Sequence, residues 1–256
     1  MDTTNDIKQK IDHLGFFIIE DIYSHAEINS LLDRISKADS SNPAFRKSSD
    51  IFAIRRFVQE IPDTIDIIFN DKLNELINAV FGDEFFIVKS IYFDKPETSN
   101  WFVAYHQDLT ISVDKKIDID GFGPWTTKNN QFAVQPTLNI LQDNFTIRIH
   151  LDDTTEYNGA LKVIPGSHQN GVYRAETIDW KVETENACIV KKGGVMIMKP
   201  LLLHSSGRTT NNNKRRVIHL EFSRSPLPEG LEWSELFRLK GNVHKGSESF
   251  EGSEPL

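Results

Sequence analysis

The hydrophobic pattern of the chain changes at Gly82, and this change constrains the fold more than any other feature of the sequence. Before Gly82, apolar residues recur every three or four positions, which is the spacing of amphipathic helices. After it, short runs rich in aromatic and β-branched residues are separated by Gly, Pro and Asn, as is typical of strands and turns. Helices followed by many short strands favour a β-sandwich or barrel backed by helices over a doubly wound parallel sheet.

Three helices and one strand are predicted in the first part of the chain. Apolar spacing predicts a helix over residues 6–14, a second helix capped by Ser24, and a third helix over residues 62–82. The compact apolar run over residues 16–20 predicts a buried strand. Residues 40–50 are polar and contain a proline, so we expect a loop there.

The rest of the chain is predicted to be rich in strands. The clearest strand patterns cover residues 85–93, 101–106, 145–151, 161–164, 194–199 and 216–222. The segment from residue 114 to residue 144 has little regular pattern. Long segments of this kind are usually functional or disordered, and its aromatic residues favour a lid that closes over a site.

We expect one domain over residues 1–239, because no Gly/Ser/Pro-rich linker divides the chain. Its helical part extends to about residue 82, and its strand-rich core covers about residues 83–225. Residues 240–256 are rich in Gly, Ser and Glu and are expected to form a flexible tail.

The composition argues against several classes of protein. A net charge of −8 is unlike a nucleic-acid-binding protein, which would show a basic surface. Cys188 is the only cysteine, so no disulfide forms within the chain. No apolar run approaches the roughly 20 residues of a membrane span, and the polar N-terminal segment resembles neither a signal peptide nor a presequence. We therefore expect a cytoplasmic protein that acts on a small molecule, as a monomer or a homodimer.

His106 and Asp108 lie at the end of a predicted strand, on either side of Gln107. Side chains at positions i and i+2 of a strand point to the same face, so the imidazole and the carboxylate point together. They supply two members of the two-histidine, one-carboxylate set that binds non-haem Fe(II) with open coordination positions. Because short His-x-Asp pairs also occur by chance, a metal site requires a third ligand elsewhere in the chain.

His204 is the candidate third ligand. It follows three consecutive leucines, which predict a buried strand end, and a polar turn separates it from a strand that starts at Arg215. Strand alternation places Arg215 on the inner face and favours it over the neighbouring Arg216. A buried guanidinium beside a metal needs an anion, since an unpaired buried charge is costly. A dicarboxylate that chelates the metal at one end and binds Arg215 at the other meets this need.

Three elements of the sequence, in this order, resemble the phytanoyl-CoA dioxygenase family of Fe(II)- and 2-oxoglutarate-dependent oxygenases. They are His106-x-Asp108, the segment Leu151-Asp-Asp-Thr-Thr-Glu-Tyr-Asn-Gly-Ala-Leu-Lys-Val-Ile-Pro-Gly-Ser-His168, and His204-Ser-Ser-Gly followed by Arg215. They lie within a resemblance that covers about residues 10–225. The resemblance implies an α+β, mainly β fold: a double-stranded β-helix (a cupin-like jelly roll) with N-terminal helices packed on one sheet.

The resemblance also implies roles for individual residues. The implied metal ligands, which are also the catalytic residues, are His106, Asp108 and His204, and the residues at the co-substrate are Arg215, Ser206 and Arg148. The implied cofactors are Fe(II), the co-substrate 2-oxoglutarate and O2. The implied reaction converts 2-oxoglutarate to succinate and CO2 while a small-molecule substrate is hydroxylated at an unactivated carbon. Residue type varies among relatives at the position of Arg148, so this side chain is assigned to either co-substrate or substrate.

The residues that contact the substrate are the least defined part of the prediction. Trp125 and Phe122 belong to a glycine-containing segment and His150 to an inward-facing strand position, but each is also compatible with ordinary core packing. Two other functions stay open from the sequence. A zinc hydrolase would use the same three ligands and leave Arg215 without a role. A non-catalytic jelly-roll protein that binds a small molecule would not need a complete metal triad.

Overall fold

Helices come first along the chain and strands dominate the rest, in agreement with the sequence pattern. The computed structural model describes residues 2–38, 44–47, 52–97, 102–128 and 131–239. The α-helices are α1 (Thr4–Leu14), α2 (His25–Lys37), α3 (Phe57–Glu60), α4 (Ile65–Ile68), α5 (Asp71–Val80) and α6 (Leu138–Asp143). Short 3₁₀ helices cover Pro62–Thr64, Glu156–Asn158, Ser167–Asn170 and Ala175–Thr177.

Most of the strands are short, and two long ones pair with each other. The strands are β1 (Phe16–Ile19), β2 (Phe45–Lys47), β3 (Phe52–Arg55), β4 (Phe86–Lys95), β5 (Val103–His106), β6 (Ile111–Val113), β7 (Trp125–Lys128), β8 (Gln131–Val134), β9 (Phe145–His150), β10 (Leu161–Val163), β11 (Asn186–Ala187), β12 (Val195–Met198), β13 (His204–Ser206), β14 (Arg215–Ser223) and β15 (Phe237–Arg238). The pairing of β4 with β14 extends over the full length of both strands.

Three antiparallel sheets contain the strands of the described residues. The main sheet has the order β1-β12-β9-β14-β4-β3-β2, with β15 beside β4. A second sheet has the order β11-β10-β13-β5, and a third has the order β6-β8-β7. Neighbours such as β12 and β9 or β9 and β14 are distant in sequence, as expected for a jelly roll rather than a meander. The predicted mainly β jelly-roll fold is confirmed.

The central strands of the main sheet separate a hydrophobic core from a polar interior. On β9, Ile147 and Ile149 pack in one buried cluster with the N-terminal helices, whereas Arg148 lies on the opposite face. The apolar residues of β14 join the same cluster, which includes Ile28 of α2 and Leu73 of α5. Burying one such side chain contributes about 1.5–3 kcal/mol. The helices therefore determine which face of the sheet is turned toward the interior, and their predicted packing on one sheet is confirmed.

The ends of the first two helices lie where the sequence predicts them. Gly15 ends α1 in the left-handed region, at φ +83°, and donates its N–H to Ile11 O at 2.9 Å. A Cβ at this position would lie 2.5 Å from the ring of His168, so the turn requires glycine. Ser24 and Glu27 form a capping box at the start of α2, in which each side chain accepts a hydrogen bond from the backbone of the other.

The prediction of one helix over residues 62–82 is wrong. The structure has a 3₁₀ turn, then α4, then a separate helix α5 that begins after Asn70. Asn70 is extended (φ −64°, ψ 167°), and its side chain accepts a hydrogen bond from Leu73 N at 2.9 Å. The apolar spacing continues across this break, so the periodicity gives no sign of it. An asparagine that can cap the next helix is the local signal.

Two segments predicted as irregular contain regular structure. Strand β2 lies inside the predicted loop at residues 40–50, whose remaining residues, apart from residue 44, are outside the described part of the chain. The segment from 114 to 144 contains β7, β8 and α6, so the prediction of an irregular loop is wrong. Strand β8 pairs with both β6 and β7, which gives this segment its own sheet. Its role as a lid stays a prediction.

Three further expectations concern strand β1, the C-terminal tail and membrane-spanning helices. Strand β1 is at the edge of the main sheet, and only its first residue, Phe16, is buried, so the predicted buried strand is a half-buried one. The predicted tail at residues 240–256 lies outside the described residues. Among the helices that are described, none is long and apolar enough to cross a membrane.

Replacing the cap of α5 tests the break between α4 and α5. The half-buried Asn70 also donates to Ile22 O at 3.1 Å and to Glu27 Oε1 at 2.8 Å. We expect Asn70→Ala to lower the free energy of unfolding by about 2 kcal/mol, because it removes a helix cap and two tertiary hydrogen bonds. Urea denaturation measures this change. The matched control is Asn78→Ala, an exposed position on the same helix, which should change stability by less than about 0.5 kcal/mol; equal effects of the two substitutions would contradict the break.

Candidate active site

The two predicted histidine ligands lie opposite each other in neighbouring strands. His106 ends β5 and His204 begins β13, and the two residues are direct partners in the antiparallel register of these strands. Their rings are 4.3 Å apart, measured between centroids. Asp108 follows β5 after one residue. One ligand atom from each of His106, Asp108 and His204 lies within 4.8 Å of the others, so the structure brings the predicted triad together.

Both imidazoles are oriented toward the carboxylate by hydrogen bonds at their far nitrogens. Nδ1 of His106 bonds to Ala104 O, and Nδ1 of His204 bonds to Leu202 O, each at 2.9 Å. A carbonyl oxygen only accepts hydrogen bonds, so Nδ1 carries the proton in each ring and Nε2 is free to bind a metal. The Nε2 atoms lie 3.8 and 3.7 Å from the carboxylate oxygens of Asp108, which is the arrangement of a three-ligand facial set.

Gln107, between the two ligands of the His-x-Asp motif, holds the ligand-bearing segments together. It faces away from the triad, as the sequence predicts, and its amide nitrogen donates to Leu201 O and to Gly171 O at 2.8 Å. Its amide oxygen accepts a hydrogen bond from Tyr173 N at 2.8 Å. In addition, Asp108 N donates to Pro200 O at 2.9 Å. The backbone that carries Asp108 is thus fixed to the backbone that leads to His204.

The three leucines before His204 anchor it by packing in three different directions. Leu201 packs with the residues of the small third sheet, Leu202 lies between β1 and β10, and Leu203 packs beside Ile164. All three are at most 2% exposed. Removing one such side chain would cost about 2–5 kcal/mol, so the position of His204 is strongly determined by the core.

The electrostatic environment keeps His204 and Asp108 in their metal-binding protonation states at neutral pH. Burial lowers the pKa of His204 to about 4, because the charged imidazolium is poorly solvated there. Burial raises the pKa of Asp108, but the neighbouring groups His204, His219 and Lys89 outweigh it and hold the pKa well below its ordinary value. A neutral imidazole and a charged carboxylate are the forms that bind a divalent cation.

A cavity of about 260 Å³ adjoins the triad, and Arg215 lies at one end of it. Arg215 is 5% exposed, and its Nη2 donates to Ser206 Oγ at 3.3 Å, while its Nε and Nη1 have no partner. The adjacent Lys95 donates to Gly207 O. The rival candidate Arg216 points away from the cavity and forms a bidentate ion pair with Asp152, at 2.6 and 2.8 Å. The sequence-based preference for Arg215 therefore agrees with the geometry.

A chain of four polar side chains forms another wall of the same cavity. Arg148 Nη1 donates to His219 Nδ1 at 3.0 Å, His219 Nε2 bonds to Glu221 Oε1 at 3.0 Å, and Lys89 donates to the same oxygen at 2.8 Å. Burial lowers the pKa of Arg148 to about 10, so the guanidinium still carries its charge at neutral pH. The cavity is therefore lined by charged groups on several sides, which suits a polar ligand.

Three predicted substrate residues lie elsewhere. None of Trp125, Phe122 and His150 is among the described residues that line the cavity. Trp125 and Phe122 pack against the cluster that contains Ile111 of β6, so the structure gives their substrate role no support. His150 is buried, and its Nδ1 shares a hydrogen bond with Thr154 Oγ1 at 2.7 Å. It is an interior residue close to the site but not part of its surface.

Two lysines that sequence reasoning did not assign line the cavity. Lys89 and Lys95 are on β4, together with Ile91 and Phe93, at alternating positions of the inner face. Strand alternation is the available signal for Lys89, because the sequence predicts a strand over residues 85–93, whereas Lys95 lies beyond that range. Lys89 and Ile91 also line a second cavity of about 230 Å³, which is bordered by Arg55 and other residues of β3, β6 and β8.

Comparison with known proteins places this geometry in a family. The family model described as phytanoyl-CoA dioxygenase (PhyH) matches residues 11–217. An uncharacterized protein of Mycobacterium tuberculosis is 21% identical over 244 residues, which cover 89% of this chain and 78% of the relative. The family match extends over most of the chain and includes the triad.

Solved structures with the same fold are oxygenases that use 2-oxoglutarate. The non-haem α-ketoglutarate-dependent carbocyclase SnoK from nogalamycin biosynthesis aligns with a TM-score of 0.64 and 13% identity, over 86% of this chain and 84% of SnoK. EctD from S. alaskensis, with 2-oxoglutarate and 5-hydroxyectoine, aligns with a TM-score of 0.62 and 21% identity, over 84% of this chain and 74% of EctD. At these identities the likeness supports the fold.

The buried His150 should make stability depend on pH. Burial and the nearby Arg148 and Arg215 hold its pKa well below the ordinary value of 6.5, so the folded protein keeps it neutral while the unfolded chain takes up a proton below that pH. The contribution of the neutral His150 to the free energy of unfolding is therefore complete above pH 6.5. It is lost as the pH decreases below that value, by up to about 1.4 kcal/mol per pH unit for one group. Urea denaturation of the metal-free protein at pH 7.5, 6.5 and 5.5 should show a shallower loss in His150→Gln. The exposed control His25→Gln should keep the wild-type slope; an unchanged slope in His150→Gln would count against a neutral buried imidazole.

Proposed function

The chain belongs to the phytanoyl-CoA dioxygenase family of Fe(II)- and 2-oxoglutarate-dependent oxygenases, and we propose that its reaction is hydroxylation of an unactivated carbon of a small molecule. In this proposal Fe(II) is bound by His106, Asp108 and His204. The distal carboxylate of 2-oxoglutarate is bound by Arg215 with Ser206. When bound, these groups supply an O2-dependent oxidation in which 2-oxoglutarate becomes succinate and CO2.

The observation that supports this proposal most strongly is the guanidinium of Arg215, which lines the same cavity as the triad and has no anionic partner among the described residues. Ser206, which bonds to Arg215, is two residues beyond His204 on β13. Two residues of a strand span about 6.6 Å, which suits a five-carbon diacid with one end on the metal and the other on Arg215. A zinc hydrolase would leave this buried cation without a counter-ion, and burying an unpaired charge destabilises the folded protein.

The residues of the site also fit the metal. Two neutral imidazoles and one carboxylate with free ligand atoms match non-haem Fe(II), and the three ligands occupy one side, so the opposite positions stay open. Their orientation is fixed before any metal binds, by the Nδ1 hydrogen bonds and by Gln107. Asp108 supplies the third ligand, and its presence favours hydroxylation over halogenation, in which related enzymes lack this carboxylate. The protein's contribution is therefore to position the co-substrate and hold the metal ligands in a preorganised arrangement.

Succinate formation tests the oxygenase directly. Protein purified without oxygen and then given Fe(II), 2-oxoglutarate and air should form succinate slowly even without substrate. His204→Ala should reduce the rate by at least about a hundredfold, because it removes a metal ligand. The exposed His13 is the matched control, and His13→Ala should stay within about twofold of wild type, since this histidine is not part of the metal-binding group. Absence of succinate, together with no binding of 2-oxoglutarate to the metal-loaded protein, would overturn the proposal.

The neighbouring arginines on β14 provide a matched test of the co-substrate site. Calorimetry on Ni(II)-loaded protein should show that Arg215→Gln weakens 2-oxoglutarate binding about a hundredfold, or ~2.7 kcal/mol, because a charge-assisted ion pair is lost. Arg216→Gln removes the same side chain one position along the strand, from the exterior ion pair with Asp152. It should change the affinity by less than about threefold. The reverse result would show that the guanidinium that binds 2-oxoglutarate has been assigned to the wrong residue.

A further inference from the structure

The metal cavity has more positive charge than the metal and the co-substrate can neutralise. Among the described residues that line it, the cations are Lys89, Lys95, Arg148 and Arg215, and the carboxylates are Asp108 and Glu221. These groups leave an excess of two positive charges when the histidines are neutral. A divalent metal and the dianion of 2-oxoglutarate cancel each other. The excess is therefore the same in the loaded enzyme.

Two of the four cations already have anionic partners in that loaded enzyme. Lys89 forms an ion pair with Glu221 at 2.8 Å. Arg215 would bind the distal carboxylate of 2-oxoglutarate, and Lys95 lies beside Arg215 at the same end of the cavity. Burial and Arg215 lower the pKa of Lys95 to about 8, so this lysine loses its proton more easily than an ordinary one. Even where Lys95 is neutral, one unbalanced positive charge remains in the cavity.

That charge is on Arg148. Its side chain is buried, its Nη1 bonds to the ring of His219, and its Nε has no partner. No carboxylate of the described residues forms an ion pair with it. Leaving a buried guanidinium without a counter-ion costs several kcal/mol. The nearby carboxylates are both engaged, Glu221 by Lys89 and Asp108 by the metal.

Arg148 is also separated from the co-substrate end of the cavity. It is directly opposite His219 in the register of β9 and β14, and it bonds to that residue. His219 is four residues beyond Arg215 on β14, which corresponds to about 13 Å along the strand. The strand positions that carry Arg215 and Arg148 therefore lie at different levels of the cavity. A second, separate anion would satisfy Arg148.

We propose that the primary substrate is an acid whose carboxylate is bound by Arg148. The planar guanidinium matches a carboxylate, and its Nε, which has no partner, provides a donor for it. The inference rests on the proposed function, because it assigns the other anion site to 2-oxoglutarate. The substrate carboxylate lies beside the Arg148–His219–Glu221–Lys89 wall. The rest of the molecule extends toward the second cavity, which shares Lys89 and Ile91 with the first.

Matched acids and amides test this inference without knowledge of the natural substrate. Protein loaded with Ni(II) and saturating 2-oxoglutarate is titrated with octanoate and benzoate, and with octanamide and benzamide as neutral controls of similar shape, at constant ionic strength. The measured quantity is the concentration that gives half of the maximal increase in Tm. In wild type the acids should act at concentrations at least about tenfold lower than the amides. Arg148→Gln should abolish this preference, and the control Arg216→Gln should retain it.

The affinity for 2-oxoglutarate, measured by calorimetry on the same proteins, distinguishes a failure of this inference from a failure of the proposed function. Arg148→Gln should bind 2-oxoglutarate within about threefold of wild type. A loss as large as that in Arg215→Gln would assign Arg148 to the co-substrate and overturn the inference. Equal or absent stabilisation by acids and amides in wild type would also overturn it. Failure of metal-loaded wild type to bind 2-oxoglutarate would instead overturn the proposed function itself.

Discussion

The site depends on the antiparallel pairing of β5 with β13, which sets His106 opposite His204. These strands are short, and a shift of one strand by one residue would place the two imidazoles on opposite faces. Gln107 opposes such a shift, because its amide bonds to the backbone at Leu201, Gly171 and Tyr173, and another register would break these hydrogen bonds. One side chain between two ligands thus fixes the relative position of all three members of the triad.

The rest of the fold compensates for the destabilising effect of the polar interior. Buried charges destabilise a protein, and on the opposite face of β9 and β14 the apolar residues pack in one core with the helices. On β14, Arg215 and His219 face the cavity while Ile218 and Leu220 lie in the core. This strict alternation allows one strand to contribute to the hydrophobic core and to the active site at once. The stability of the protein comes from one face, and its chemistry from the other.

The residues that the sequence could identify are those whose positions follow from local rules. The His-x-Asp spacing, the leucines before His204 and the alternation that selects Arg215 over Arg216 each depend on a few neighbouring residues. What the sequence could not show depends on distant partners or weak signals. The partners of Gln107 are 64 and 94 residues away. The break at Asn70 is hidden by continuous apolar spacing, and the short strands between residues 114 and 144 have no strong alternation.

The cavity departs from the usual rule that buried cations are paired, and this departure is informative about its ligands. Arg148 and Arg215 are both buried, and burial together with the positive charge of Arg148 lowers the pKa of Arg215. Such an arrangement costs folding energy in the empty protein. A protein that evolved only to bind one dicarboxylate would need one of these arginines. Two buried guanidinium groups that lack anionic partners, on different strand levels of one cavity, are explained by two anions that are present together, and an enzyme with a co-substrate and a substrate has two anions to place.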